Sequence, residues 1–140
     1  MVCLLATGPS SAQQQAERAP SHDIALTVQK TTVAGDVGSL TLVIAPRPGY
    51  SISRDGPLVV SLAVTPERGI DLSRRRYRRR HSVDARAATP RFDLAYRAVR
   101  TGRYTATVRM RFWVCGKRTC RPVRETRRVS IEVDQSPGPD

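Results

Sequence analysis

The sequence predicts an all-β domain built as an antiparallel sandwich. Apolar residues make up 39% of the chain and fall in short runs that alternate with polar ones, instead of recurring at helical spacing. Ten Pro and nine Gly interrupt these runs at intervals of about ten residues, the turn spacing found in sandwiches. At 140 residues the chain has the length of one domain with one core, and no internal repeat is visible.

The first dozen residues read as the end of an export signal. Val2 to Ala6 is a short apolar run, Ser10, Ser11 and Ala12 place small residues where a signal peptidase reads them, and Gln13 opens a polar segment. No Arg or Lys precedes Arg18, so the basic start of such a signal is missing, which leaves a truncated signal and a plain tail as the two readings. Export is the one expected, to the periplasm or outside the cell. Cleavage after Ala12 would remove Cys3 and leave Cys115 and Cys120 as an even pair, the pattern an oxidising compartment favours. The boundaries expected are a signal remnant over 1–12, a flexible linker over 13–23, a sandwich over 24–133 and a disordered tail over 134–140. No run approaches the roughly eighteen apolar residues of a membrane span.

Within the sandwich, Ile24 to Thr31 and Ser39 to Ala45 read as strands joined by a turn at Gly35 to Gly38. Pro46, Pro48 and Gly49 end the second. Tyr50 to Arg54 is a short extended piece, the sequence Asp55, Gly56, Pro57 is a turn, and Leu58 to Thr65 is a third substantial strand that Pro66 to Gly69 turns. The stretch from Ser73 to His81 is the most charged of the chain. As a strand it would line one face with Arg74, Arg76, Arg78 and Arg80 and the other with Arg75, Tyr77 and Arg79, so neither face is expected in a core and an exposed loop or edge is predicted. Phe92 to Val99 resumes the strand pattern before the turn at Thr101 and Gly102.

The longest alternation follows. Tyr104, Ala106, Val108, Met110, Phe112 and Val114 alternate with Thr105, Thr107, Arg109, Arg111, Trp113 and Cys115, the period-two signature of a half-buried strand. A second alternating run places Val129, Ile131 and Val133 on one side. Between the two runs Gly116, Lys117, Arg118 and Thr119 are flanked by Cys115 and Cys120, so a β-hairpin with a cysteine on each side of its tip is predicted. Such a turn brings the flanking residues within disulfide reach. Closing so short a loop contributes roughly 2 kcal/mol on the chain-entropy estimate, the low end for a disulfide. A structural staple and a redox-active pair are both open from the residues alone.

The net charge of +12 is almost entirely arginine, since Lys30 and Lys117 are the only lysines. An anionic partner and a compositional bias that leaves a basic surface without a specific ligand are both compatible with it. Six arginines around Tyr77 can grip phosphates, and one aromatic gives little base stacking, so only weak, non-specific nucleic-acid binding is expected. His22 and His81 lack ligand spacing with each other or with the cysteines, and no zinc site is expected. The phosphate loop, the nucleophile elbow and a Ser, His and Asp triad are missing as well, which leaves a hydrolase without a foothold.

In the order of its features the chain resembles the N-terminal, immunoglobulin-like domain of the thiol:disulfide interchange protein DsbD and related stand-alone periplasmic domains. The likeness lies in Pro48, Gly49 and Tyr50 with the polar run to Arg54, the strand at Leu58 to Thr65, the Gly102 turn, and above all VCGKRTCRPV from Val114 to Val123. It covers roughly Ile24 to Val133. It implies an immunoglobulin-like antiparallel β-sandwich, a redox role for Cys115 and Cys120 with Pro122 close behind, and exchange chemistry that resides in the thiols and needs no cofactor. It further implies a thioredoxin-like protein or a membrane electron carrier as redox partner. The family's shielding loop corresponds to Arg74, Arg75, Arg76, Tyr77, Arg78, Arg79 and Arg80, which would then cap the cysteines or stabilise a thiolate. The chain departs from the family in a shorter cysteine loop, in Ser51 and Ser53 where the family has aromatic residues, and in the basic character of this loop. A thiol-disulfide exchange domain is the function expected. The alternative is a non-catalytic immunoglobulin-like binding module whose disulfide is structural.

Overall fold

The computed structural model describes residues 21–28 and 32–135. The readings of a signal over 1–12 and of most of the linker and tail therefore lie outside the described residues. The described strands are β1 (His22–Val28), β2 (Thr32–Val33), β3 (Val37–Pro46), β4 (Ser51–Ile52), β5 (Val59–Thr65), β6 (Ile70–Leu72), β7 (Arg76–Arg78), β8 (Arg91–Ala98), β9 (Gly102–Cys115) and β10 (Cys120–Asp134). A single 3-10 turn, Arg79–His81, follows β7.

These strands form two sheets facing one another. The four-stranded sheet runs β1-β3-β8-β6, and the six-stranded sheet runs β2-β10-β9-β5-β7 with β4 also paired to β9. The orders β1-β3-β8-β6 and β10-β9-β5 reproduce the two sheets of an immunoglobulin sandwich. Alternation explains the layering. On β9, Tyr104, Ala106, Val108, Met110, Phe112 and Val114 are all buried, and they meet Leu40, Leu42 and Ile44 of β3 and Phe92, Leu94 and Tyr96 of β8 in one core. Tyr104 carries a second feature of the fold: its hydroxyl donates to the carbonyl of Arg100 at 2.9 Å, the tyrosine corner of immunoglobulin sandwiches.

Three details differ from the sequence reading. The pairing is not antiparallel throughout, because β2 runs parallel to the end of β10, with Thr32 opposite Val133 and Val33 opposite Asp134. Thr32 is held there by a 2.9 Å hydrogen bond between its hydroxyl and that of Tyr96. His22 and Asp23, expected in the linker, belong to β1, where Asp23 pairs with Arg47 and His22 reaches across to β10.

The third difference is in the basic stretch. It is an edge strand beside β5, as one reading allowed, but Tyr77 enters the core with 5% exposure. The phenol turns inward against Phe92 and His81, at ring-centroid separations of 6.3 Å, while Arg76 and Arg78 stay outside. One inward aromatic satisfies a three-residue edge strand, so charge on the other positions does not keep the segment off the sheet.

Candidate functional site

The β9–β10 ladder runs without a break from Gly102 opposite Val133 to Cys115 opposite Cys120. The two cysteines are thus direct cross-strand partners, and their sulfurs form a disulfide with the Cα atoms 3.9 Å apart. Beyond them the turn closes on itself, the amide of Gly116 donating to the carbonyl of Thr119 at 2.9 Å. Cys120 is exposed and Cys115 half-buried. The difference has a structural cause: β4 covers the free edge of β9, with Ser51 opposite Cys115 and Ile52 opposite Val114, whereas nothing of that kind flanks Cys120 on β10 among the described residues.

A cleft of about 510 Å³ opens beside the disulfide, lined by Gly49, Tyr50, Val114, Gly116, Lys117, Thr119 and Arg121. Tyr50 stands at the tip of the β3–β4 connection, its ring so close to Gly116 that a side-chain carbon there would lie 3.5 Å from it. The charged side chains lining the cleft are Lys117 and Arg121, so its electrostatic character is basic.

Arg121 is fixed in place. Its guanidinium donates to Ser21 Oγ at 2.7 Å, and that hydroxyl lies 3.0 Å from Nδ1 of His22, whose Nε2 is 2.9 Å from Glu125. Because the ionised Glu125 carboxylate can only accept, it is the Nε2–H of His22 that donates to it. Glu125 also accepts from Arg127 at 2.8 Å. Burial raises the Glu125 pKa, but the hydrogen bonds from His22 and Arg127 outweigh it and hold the carboxyl below its ordinary value.

The basic stretch is placed across β5 from β9. Arg76 and Arg78 lie on β7, Tyr77 is in the core, and Arg74, Arg75 and Arg80 are exposed. Arg79 is linked to the hairpin through one residue: its guanidinium donates to the carbonyl of Ser53, whose own amide donates to the carbonyl of Trp113 at 2.8 Å. Burial lowers the Arg79 pKa, with the neighbouring Arg54 adding to the effect. The residue packed against the hairpin tip is Tyr50, which sequence reasoning did not single out as a site residue. Its only signal was its place after the Pro48 and Gly49 turn. Arg121, adjacent to Cys120 in sequence, was legible as a basic neighbour but not as an anchored one.

Among the described residues no group of His, Cys, Asp and Glu is arranged to hold a metal ion, and no helix is long and apolar enough to cross a membrane. Compared with known proteins, the chain matches no family model and no curated sequence. Fold and site together define a disulfide-bearing immunoglobulin-like β-sandwich.

Proposed function

We propose that this domain carries out thiol-disulfide exchange in the periplasm or outside the cell, as its resemblance to the N-terminal domain of DsbD implies. The observation that carries the reading is the position of the disulfide: it joins residues already held opposite one another by a continuous ladder and a closed turn, and one of its sulfurs belongs to an exposed residue. A bond so placed adds little to the fold and is open to attack.

The step runs as follows. The thiolate of a reduced dithiol partner attacks Sγ of Cys120, the bond between Cys120 and Cys115 breaks, and Cys115 leaves as a thiolate beside the basic cleft. The partner's second thiol then attacks the mixed disulfide. Cys120 is released, the partner closes its own disulfide, and two electrons and two protons have passed to the Cys115 and Cys120 pair. Run in reverse, the reduced domain passes them on to an oxidised partner. A thioredoxin-like protein or a membrane electron carrier supplies the partner dithiol.

A redox titration with a reduced thioredoxin tests this. The expected result is reduction within minutes, a potential above about −300 mV, and an intact fold after reduction. With an oxidised thioredoxin instead, the Cys120 thiolate of Cys115→Ser should attack the thioredoxin disulfide and form a mixed disulfide, releasing one thioredoxin thiol, and replacing both cysteines by Ser should cost no more than about 2 kcal/mol. A bond that stays closed under these reductants, and whose removal unfolds the domain, would instead make the pair a staple in a non-catalytic binding module.

A further inference from the structure

The outer face of the six-stranded sheet carries an arrangement of charge that the exchange chemistry does not use. Because Val108, Met110, Phe112 and Val114 are buried, the residues between them on β9, namely Arg109, Arg111 and Trp113, point away from the core together with Cys115. Their neighbours on either side extend the pattern into two rungs. Arg78, Val59, Arg111 and Arg124 lie side by side in one, and Arg76, Ser61, Arg109 and Thr126 in the next.

Neighbouring strands are about 4.8 Å apart, so Arg111 and Arg124 oppose like charges directly, an arrangement that destabilises a sheet. No ion pair among the described residues involves the five arginines of these rungs; the guanidiniums that do find carboxylates are those of Arg47, Arg91, Arg103 and Arg127. Glu125 borders the rungs, but its carboxylate is engaged by His22 and Arg127. Val59, which faces outward between Arg78 and Arg111, is only 8% exposed. Beside it is a depression of about 260 Å³ whose charged lining residues are Arg76, Arg109, Arg111 and Arg124 with Glu125.

The disulfide is on this same face. Cys115 and Cys120 follow the next rung, Trp113 opposite Pro122, and Cys115 is about 14 Å along β9 from Arg111. A protein that covers a standard patch of about 800 Å², roughly 30 Å across, can engage the disulfide and the arginines together from this side. Trp113 supplies an apolar platform between the two, its ring resting on Gly56. Tryptophan and arginine are the residue types that anchor interfaces, and arginine pairs with carboxylates through two parallel hydrogen bonds. Of the exposed large hydrophobic residues, Val37, Val83 and Val99 lie outside the strands of this sheet and Tyr50 stands at the hairpin tip, so the arginine rungs offer a bilayer no apolar patch, and the half-buried Trp113 is a single platform where a run of bases would need several.

We propose that this face is the docking surface for the partner protein of the exchange reaction, and that the partner presents carboxylates around its own reactive cysteine. The proposal rests on the exchange reading given above. Arg109, Arg111 and Arg124 are the anchors, and their field speeds the encounter as well as fixing its orientation.

The test measures the rate of reduction of the full chain by three reductants: a reduced thioredoxin carrying carboxylates around its active site, the same thioredoxin with those carboxylates replaced by lysine, and uncharged dithiothreitol. At about 20 mM salt the acidic thioredoxin should react about tenfold or more faster than its lysine counterpart, and the advantage should collapse at about 300 mM as screening sets in. Combining Arg109→Gln, Arg111→Gln and Arg124→Gln should slow the acidic thioredoxin about tenfold and leave the dithiothreitol rate as it was. If dithiothreitol opens the bond normally but the arginine variant and salt leave the thioredoxin rates unchanged, the docking surface is wrong and the exchange reading survives. If none of the three opens the bond, both fall together. Tight, arginine-dependent binding of duplex DNA at about 150 mM salt would reassign the face to nucleic acid and overturn the proposal.

Discussion

The imidazole Nε2 of His22 stands 2.9 Å from Oε1 of Glu125, joining the first strand of the four-stranded sheet to the last strand of the six-stranded one. The ring is 7% exposed and packs edge-on against Phe112 at 5.2 Å, in the core near the hairpin end of the sandwich. The contact therefore clamps the two sheets at the end where the disulfide lies.

Glu125→Leu leaves the buried Nε2–H without its acceptor and should cost about 1–3 kcal/mol. Because the folded-state pKa of Glu125 is held below its unfolded value of 4.5, the clamp is fully present above that pH and is lost as the pH falls through the folded value. Urea melts of the parent and variant across a pH series should therefore differ most near neutrality and converge in acid. A difference independent of pH would remove the carboxylate from the clamp.

Tyr77 is the one large apolar group that β7 contributes to the core. Tyr77→Ala should cost about 3–5 kcal/mol, as emptying a large aromatic site does, whereas Arg76→Gln and Arg78→Gln should stay within about 0.5 kcal/mol. Chemical denaturation decides between this and a solvated loop, in which all three substitutions would be nearly neutral.

Gly69 and Tyr104 should behave as a coupled pair. Tyr104→Phe removes the hydrogen bond to Arg100 and should cost about 1 kcal/mol. Gly69→Ala should cost more, about 2 kcal/mol or above, because Gly69 has φ +106° and an added Cβ would collide with the Tyr104 hydroxyl. Removing that hydroxyl relieves part of the collision, so the double variant should be less destabilised than the sum of the two. Strict additivity in denaturant melts would show that the contact carries no such coupling.

Much of the architecture was legible in the residues because strand formation and facing are local properties. The alternation from Tyr104 to Val114 identifies both the strand and its buried side, and the Gly116 to Thr119 interruption between two such runs requires a hairpin with Cys115 and Cys120 facing each other. Tyr77 shows the limit of that reasoning. Its arginine neighbours made the segment look wholly solvated, and only its pairing with β5 revealed that one inward position was enough.

The sequence by itself determined which stretches become strands, which of their faces are apolar, and that two cysteines stand at a hairpin tip, since each depends on side chains within a few positions of one another. Only the tertiary structure decided which residues from distant stretches meet. His22 and Glu125 are 103 positions apart, Tyr50 comes to Gly116 from another loop, and Arg78, Arg111 and Arg124 share a rung only because β7, β9 and β10 occupy their particular places and registers in one sheet. The physical reason is that strand order and register come from burying all the apolar faces at once in a single core, a condition on the whole chain that no local run of residues records.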